Sequence, residues 1–214
     1  MKYLYLFPLF LMTLGQAQEA SDFMEEVDAI QKKYDTLWDA SKETIVFTGS
    51  SSVRIWNDLQ ERFPDYQIVN TGFGGSQATD LLAYSDALVL RFKPRKVFIY
   101  EGDNDLSAKK KPRAIVKTLA NIIARIREQN AAAEIVLIAA KPSIVRWQMK
   151  RKYKKLNRKL KRWSQKDSLI DFADVWKPML EGRKINEELF IEDGLHMNGK
   201  GYDIWYEVLK PYVK

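Results

Sequence analysis

The chain of 214 residues contains no cysteine and a single histidine, His196. Without cysteine there is no disulfide framework, no thiolate nucleophile and no cysteine-bound metal. One imidazole cannot build a zinc site from several histidines, so only a carboxylate site for Mg²⁺ or Ca²⁺ stays open. Low-complexity tracts and internal repeats are also missing, which leaves an ordinary globular chain long enough for one full hydrophobic core. Long hydrophobic runs are lacking too. The apolar stretch from Tyr3 to Leu14 is shorter than the roughly 20 residues a spanning helix needs.

That stretch instead reads as part of a leader. "MKYLYLFPLFLMTLGQAQEA" has one Lys, an apolar run and then Gly15-Gln16-Ala17, a small-x-small cleavage site. The pattern predicts a signal peptide over residues 1–17 and a single domain over residues 18–214, exported to the periplasm or secreted. No cysteine follows the leader, so no lipid anchor is expected, and the mature chain has no transmembrane segment. An exported domain without disulfides must draw its stability from its core.

Acidic residues are absent from one segment. Net charge is +7, from 35 Lys and Arg against 28 Asp and Glu. Between Arg146 and Lys166 lie 11 bases and no acid, so the rest of the chain has a net charge of −4. In that segment Met149, Tyr153, Leu156, Leu160 and Trp163 recur at helical spacing. The pattern predicts one apolar stripe on an otherwise cationic helix. Either the basic face is simply solvated, or it meets an anionic surface such as lipid head groups or acidic envelope polymers. Nucleic acid is a poor fit to an export signal.

The rest of the chain alternates strands with helices. A helix is predicted from Ser21, as cap, to Trp38. "TIVFTG", "QIV", "KVFIY", "EIVLIAA" and "SLIDFA" are short apolar strands. "VRIWNDLQERF", "SQATDLLAYSDALVLRF" and "PRAIVKTLANIIARIREQN" read as helices, the last opening on Pro112. A last helix follows Asn198 as cap. Five such strands predict an α/β fold: a three-layer α/β/α domain with a mostly parallel five-stranded sheet. In that architecture the working residues sit on loops beyond the carboxyl ends of the strands.

Those loops are unusual. "GSSS" follows the first strand, "NTGFGGS" the second and "EGDND" the third, while "EDGLHMNGKGY" precedes the last helix. Together they offer a serine at a strand–helix turn, glycines with free N–H groups, an asparagine amide, and Asp193 three residues before His196. Acyl transfer uses such a set. A base takes the serine proton, an acid orients the base, and preorganised donors hold the oxyanion. "GDND" is also compatible with a turn or an acidic loop, although the remaining ligands of a calcium loop are missing. A serine cluster before a helix can equally be a cap.

Taken together, these four blocks resemble the SGNH (GDSL-like) hydrolases. The family's G-D-S matches Gly49-Ser50-Ser51, which implies Ser51 as nucleophile. Its glycine block implies Gly75 as an oxyanion donor, G-x-N-D implies Asn104, and D-x-x-H implies Asp193 and His196. Ser51, Asp193 and His196 would be catalytic, and the N–H groups of Ser51 and Gly75 with the Asn104 amide would hold the oxyanion. The family's Asp is Ser50 here, so Ser50 and Ser52 are alternatives as caps or loop donors. The resemblance implies a carboxylic ester hydrolase with no cofactor and no metal. Its substrate would be a small-molecule or glycan ester with a short acyl group. The alternative is a non-catalytic envelope protein that binds anionic polymers or a membrane surface through its basic helix.

Overall fold

The computed structural model describes residues 10–214, with side chains from Phe23 onward. The leader expected at residues 1–17 therefore falls outside the residues described with side chains. Helix α1 runs Phe10–Leu37, so Ser21 lies inside it rather than at its start.

All five predicted strands form: β1 Thr44–Gly49, β2 Gln67–Gly72, β3 Lys96–Tyr100, β4 Glu134–Ile138 and β5 Ile170–Ala173. They make one sheet in the order β2-β1-β3-β4-β5, and every pairing in it is parallel. Alternation along each strand sends side chains to two cores. Val46, Val69, Val97 and Leu137 pack on one face with α1, α7 (Pro112–Gln129) and α8 (Lys150–Ser164). Ile45, Phe47, Phe98 and Ile138 pack on the other with α2 (Ser51–Arg54), α3 (Leu59–Arg62) and α9 (Gly199–Leu209). Phe47 and Phe98 stack across β1 and β3 with centroids 4.1 Å apart. Both faces are covered, which is why the strands read as continuous apolar runs.

Two predicted helices are broken. "VRIWNDLQERF" ends α2 at Arg54 and restarts as α3, because Trp56 between them turns inward against Tyr202 and Trp205. "SQATDLLAYSDALVLRF" splits into α4 (Ala78–Ala83), α5 (Ser85–Leu88) and a 3-10 turn. At that break Ser85 Oγ donates to Leu82 O, and Arg125 of α7 donates to both groups. A short antiparallel pair, β6 (Leu180–Glu181) with β7 (Lys184–Ile185), had no clear signal in the sequence. Among the described residues no helix is long and apolar enough to cross a membrane.

The connection from β1 crosses to β2 on one side, and the chain then returns to β3 on the other. The direction of winding therefore reverses at β1, which opens a crevice at the carboxyl ends of β1 and β3. The residues that follow those two strands are Ser50 to Ser52 and Glu101 to Asp105.

Candidate active site

The three serines are sorted by the turn that follows β1. Gly49 has φ +128, and a Cβ there would lie 2.0 Å from the Tyr100 carbonyl oxygen. Only glycine lets β1 approach β3 this closely. Ser50 is buried, and its N–H donates to Tyr100 O at 3.2 Å. It stands at the N-cap of α2, but its side chain caps nothing. Ser52 is buried too, and its carbonyl accepts from the Tyr202 hydroxyl. Ser51 alone keeps its hydroxyl at the crevice, 2.8 Å from His196 Nε2.

His196 and Asp193 form a self-contained turn. Asp193 Oδ1 accepts the N–H groups of Leu195 and His196, both at 2.8 Å, while Oδ2 lies 2.5 Å from His196 Nδ1. Partial burial pushes the Asp193 carboxyl upward, but the bonds from His196 and Leu195 outweigh it and hold the group below the usual carboxylate range. A carboxylate fixed there sets the imidazole tautomer, with Nδ1 as donor and Nε2 free to accept from Ser51. Gly194 has φ +61, and its carbonyl accepts the N–H of Ile144 at 2.8 Å, which ties this turn to the loop after β4.

The residues expected to hold an oxyanion lie on the adjoining loops. Gly75 has φ +72, with no atom within 4 Å of where its Cβ would be, so the loop is open there. Glu26 of α1 anchors that loop: one oxygen accepts Gly74 N–H at 2.9 Å, and the other pairs with Arg54 at 3.2 Å. Asn104 donates from Nδ2 to Ser76 O at 2.9 Å, and its Oδ1 accepts from Arg146 at 3.1 Å. Arg146 thus fixes which way the amide points and leaves Nδ2 one more N–H.

Sequence reasoning assigned Arg146 and Tyr153 to the cationic helix, read Asp103 only as part of a turn or acidic loop, and did not single out Lys141. They form a buried cluster. Asp103 accepts from Arg146 at 2.6 Å, from Tyr100 OH at 3.1 Å and, over a short bond, from Tyr153 OH. Lys141 is fully buried, 3.9 Å from Asp103, and donates to Leu195 O beside His196. Burial lowers the Lys141 ammonium despite the neighbouring carboxylate. One signal was available: Lys141 directly follows the apolar run of β4, at the sheet edge where ligands gather.

A second buried acid braces the glycine loop. Glu101 Oε1 accepts from Ser76 Oγ at 2.8 Å, while Oε2 has no partner. Burial, aided by the charge of Asp105, pushes the Glu101 carboxyl well above its ordinary range against the Ser76 bond. The folded state then holds a proton that the unfolded chain releases, so stability falls as pH rises between the two values. Glu101→Gln, neutral at every pH, should flatten that decline. Urea midpoints at about pH 5 and about pH 8 test it. An identical decline in both proteins would remove Glu101 as its cause.

Among the described residues no group of three or more His, Asp or Glu could hold a metal ion. The acidic-loop reading of "GDND" is answered by contacts. Asp103 is used by Arg146, and Asp105 accepts Ala78 N–H at 3.1 Å and lies 3.5 Å from Lys110.

Known proteins with this architecture agree. A protein from Streptococcus pneumonia named for platelet activating factor shares 26% identity, with a TM-score of 0.79 over 95% of this chain and 99% of its own. A GDSL-like lipase from Bacteroides thetaiotaomicron shares 21%, with a TM-score of 0.70 over 86% and 96%. An acetyl esterase mutant, solved with an acetate ion, shares 15%, with a TM-score of 0.63 over 80% and 96%. No curated protein matches the chain. The family model for GDSL-like lipases and acylhydrolases matches residues 37–204, which include every residue discussed above from Thr44 to His196. The chain therefore belongs to the GDSL-like lipase/acylhydrolase family and is a carboxylic ester hydrolase.

Proposed function

We propose that the protein cleaves short-chain carboxylic esters, acetyl groups on carbohydrate among them, through a serine acyl-enzyme. The observation that carries this reading is the unbroken hydrogen-bond chain Ser51–His196–Asp193 at 2.8 and 2.5 Å. Ser51 Oγ attacks the carbonyl carbon as its proton passes to His196 Nε2. The tetrahedral oxyanion is held by the N–H groups of Ser51 and Gly75 and by the Asn104 amide. Collapse breaks the ester C–O bond, and the leaving alcohol takes the proton from His196. Water then attacks the acyl-enzyme with His196 again as base, which releases the acid and restores Ser51. Asp193 stays ionised throughout and steadies the imidazolium.

The loops after β1, β2 and β3 are short, which supports a short acyl group. The acetyl esterase relative supports the same class by analogy of fold alone. Rates on p-nitrophenyl acetate, butyrate and decanoate, and acetate release from an acetylated xylan, test the reading. The expected result is a decline with chain length and measurable release from the polymer. A rate that climbs to the decanoate would replace it with a long-chain lipase.

A further inference from the structure

The apolar stripe of the basic helix is where the spacing put it: Tyr153, Leu156 and Leu160 are buried on the sheet. Asn157 joins them, its amide satisfying both the N–H and the carbonyl of Ala140 at 2.9 Å. The opposite face carries the cations. Among the described residues, no Lys or Arg from Lys150 to Lys166 has a carboxylate within 4.0 Å, whereas most other surface arginines are paired. Helix α8 has 15 residues, so its unneutralised face extends about 22 Å. Beside it lies a groove of about 340 Å³ with a floor of Phe172, Trp176 and Leu180. Lys154, Arg158, Lys161 and Lys177 rim it, with Asp174 as the one acid.

We propose that this face is a docking track for an anionic polysaccharide whose esters are delivered to Ser51. The inference rests on the esterase reading and adds to it the charge of the substrate. Charge complementarity selects a polyanion. The apolar floor suits the C–H face of a sugar ring, with the acid groups on the surrounding cations. A bilayer fits less well, because the exposed large apolar side chains, Met24, Leu37, Val145 and Ile191, all lie off α8. Among the described residues, no large apolar side chain of α8 is among the exposed ones that could enter an acyl layer. The N-terminal end of α8 lies next to the catalytic crevice. Arg146, four residues before α8, holds the Asn104 amide, and Ile144 bonds the Gly194 carbonyl next to the His196 turn.

The test uses the triple variant Lys154→Glu, Arg158→Glu, Lys161→Glu, whose sites are exposed and away from the crevice. Polygalacturonate, neutral dextran and phosphatidylglycerol vesicles are the probes. Polygalacturonate should bind the native protein, weaken steeply with salt and weaken at least about tenfold in the variant, with dextran unbound. On acetylated polygalacturonate the variant should lose kcat/KM in proportion, while p-nitrophenyl acetate turnover stays unchanged. Equal polymer binding by both proteins overturns the proposal, as does equal binding of dextran. Vesicle binding without polymer binding overturns it in favour of a membrane. Failure of the esterase reading would show separately, as no turnover of p-nitrophenyl acetate by either protein, with the binding arms still readable.

Discussion

Ser51→Ala should lower p-nitrophenyl acetate turnover by about 10⁴-fold or more, with the melting temperature almost unchanged. The hydroxyl is the only group on its side of the crevice within reach of His196 Nε2 at 2.8 Å, and no other described side chain takes that contact. His196→Ala should cost about as much, since nucleophile and base act as a unit and either loss stops the same step. The neighbouring serines separate the roles. Ser50→Ala and Ser52→Ala remove buried hydroxyls that do not touch the imidazole, so they should keep turnover within a few-fold. Side-by-side kcat values decide the matter. If Ser50→Ala or Ser52→Ala abolished activity while Ser51→Ala kept it, the nucleophile would have to be reassigned. Methyl fluorophosphonate labelling followed by peptide mapping gives an independent reading, because the adduct should sit on Ser51 alone.

Asp103→Ala is expected to cost about 3–5 kcal/mol of stability. Asp103 is 4% exposed and is the counter-charge to both Lys141, 0% exposed, and Arg146. Burial pushes its carboxyl upward, but Lys141, Arg146 and the Tyr153 hydroxyl pull it below the ordinary range. Removing it leaves Lys141 fully buried without its counter-charge and takes the acceptor from two tyrosine hydroxyls and from Arg146, which is only partly exposed. The sign of the pH dependence follows. A carboxyl depressed in the folded state stabilises above the unfolded value, and that stability fades as pH falls through the folded one. The gap between native protein and variant should therefore narrow toward low pH. Urea unfolding at neutral and acidic pH measures it, and a neutral-pH cost below about 1 kcal/mol would mean that water replaces the carboxylate.

The same cluster links stability to the site through Arg146, a positioning residue for Asn104. Arg146→Lys keeps a charge near Asp103 but cannot bridge Asp103 and Asn104 with two separate nitrogens. Its signature should be a lower kcat at unchanged KM, as expected when an oxyanion donor loses its orientation. A mainly structural role would move the melting temperature instead.

Much of this was legible beforehand for a definite reason. Strand and helix periods are local, so five strands and the parallel class followed from short apolar runs and turn residues, with some strand ends off by two or three residues. The four loop blocks were also local. Each carries its chemistry in three to seven consecutive residues, and the α/β architecture dictates that such loops meet at one edge of the sheet. That is why a serine, glycine N–H groups, an asparagine amide and the pair Asp193 and His196 could be grouped before any distance was known, while the choice of Ser51, Gly75 and Asn104 came from the resemblance to the SGNH hydrolases.

Other features depended on contacts between distant segments. The breaks in the second and third predicted helices arise where Trp56 turns into the core and where Arg125 reaches Leu82 and Ser85. Among the three serines, burial by Tyr100 and Tyr202 decides which hydroxyl stays free. Arg146 shows the limit most clearly. Along the chain it is one of 11 bases between Arg146 and Lys166, alike in composition to the rest. In the fold it is bound to Asp103 and Asn104, while the cations of α8 face outward. By itself the sequence determined the architecture and the loops that meet at the crevice, because periodicity and loop motifs are written in neighbouring residues. Only the tertiary structure decided which charges are buried as supports and which are left exposed, because burial depends on what the rest of the chain packs against them.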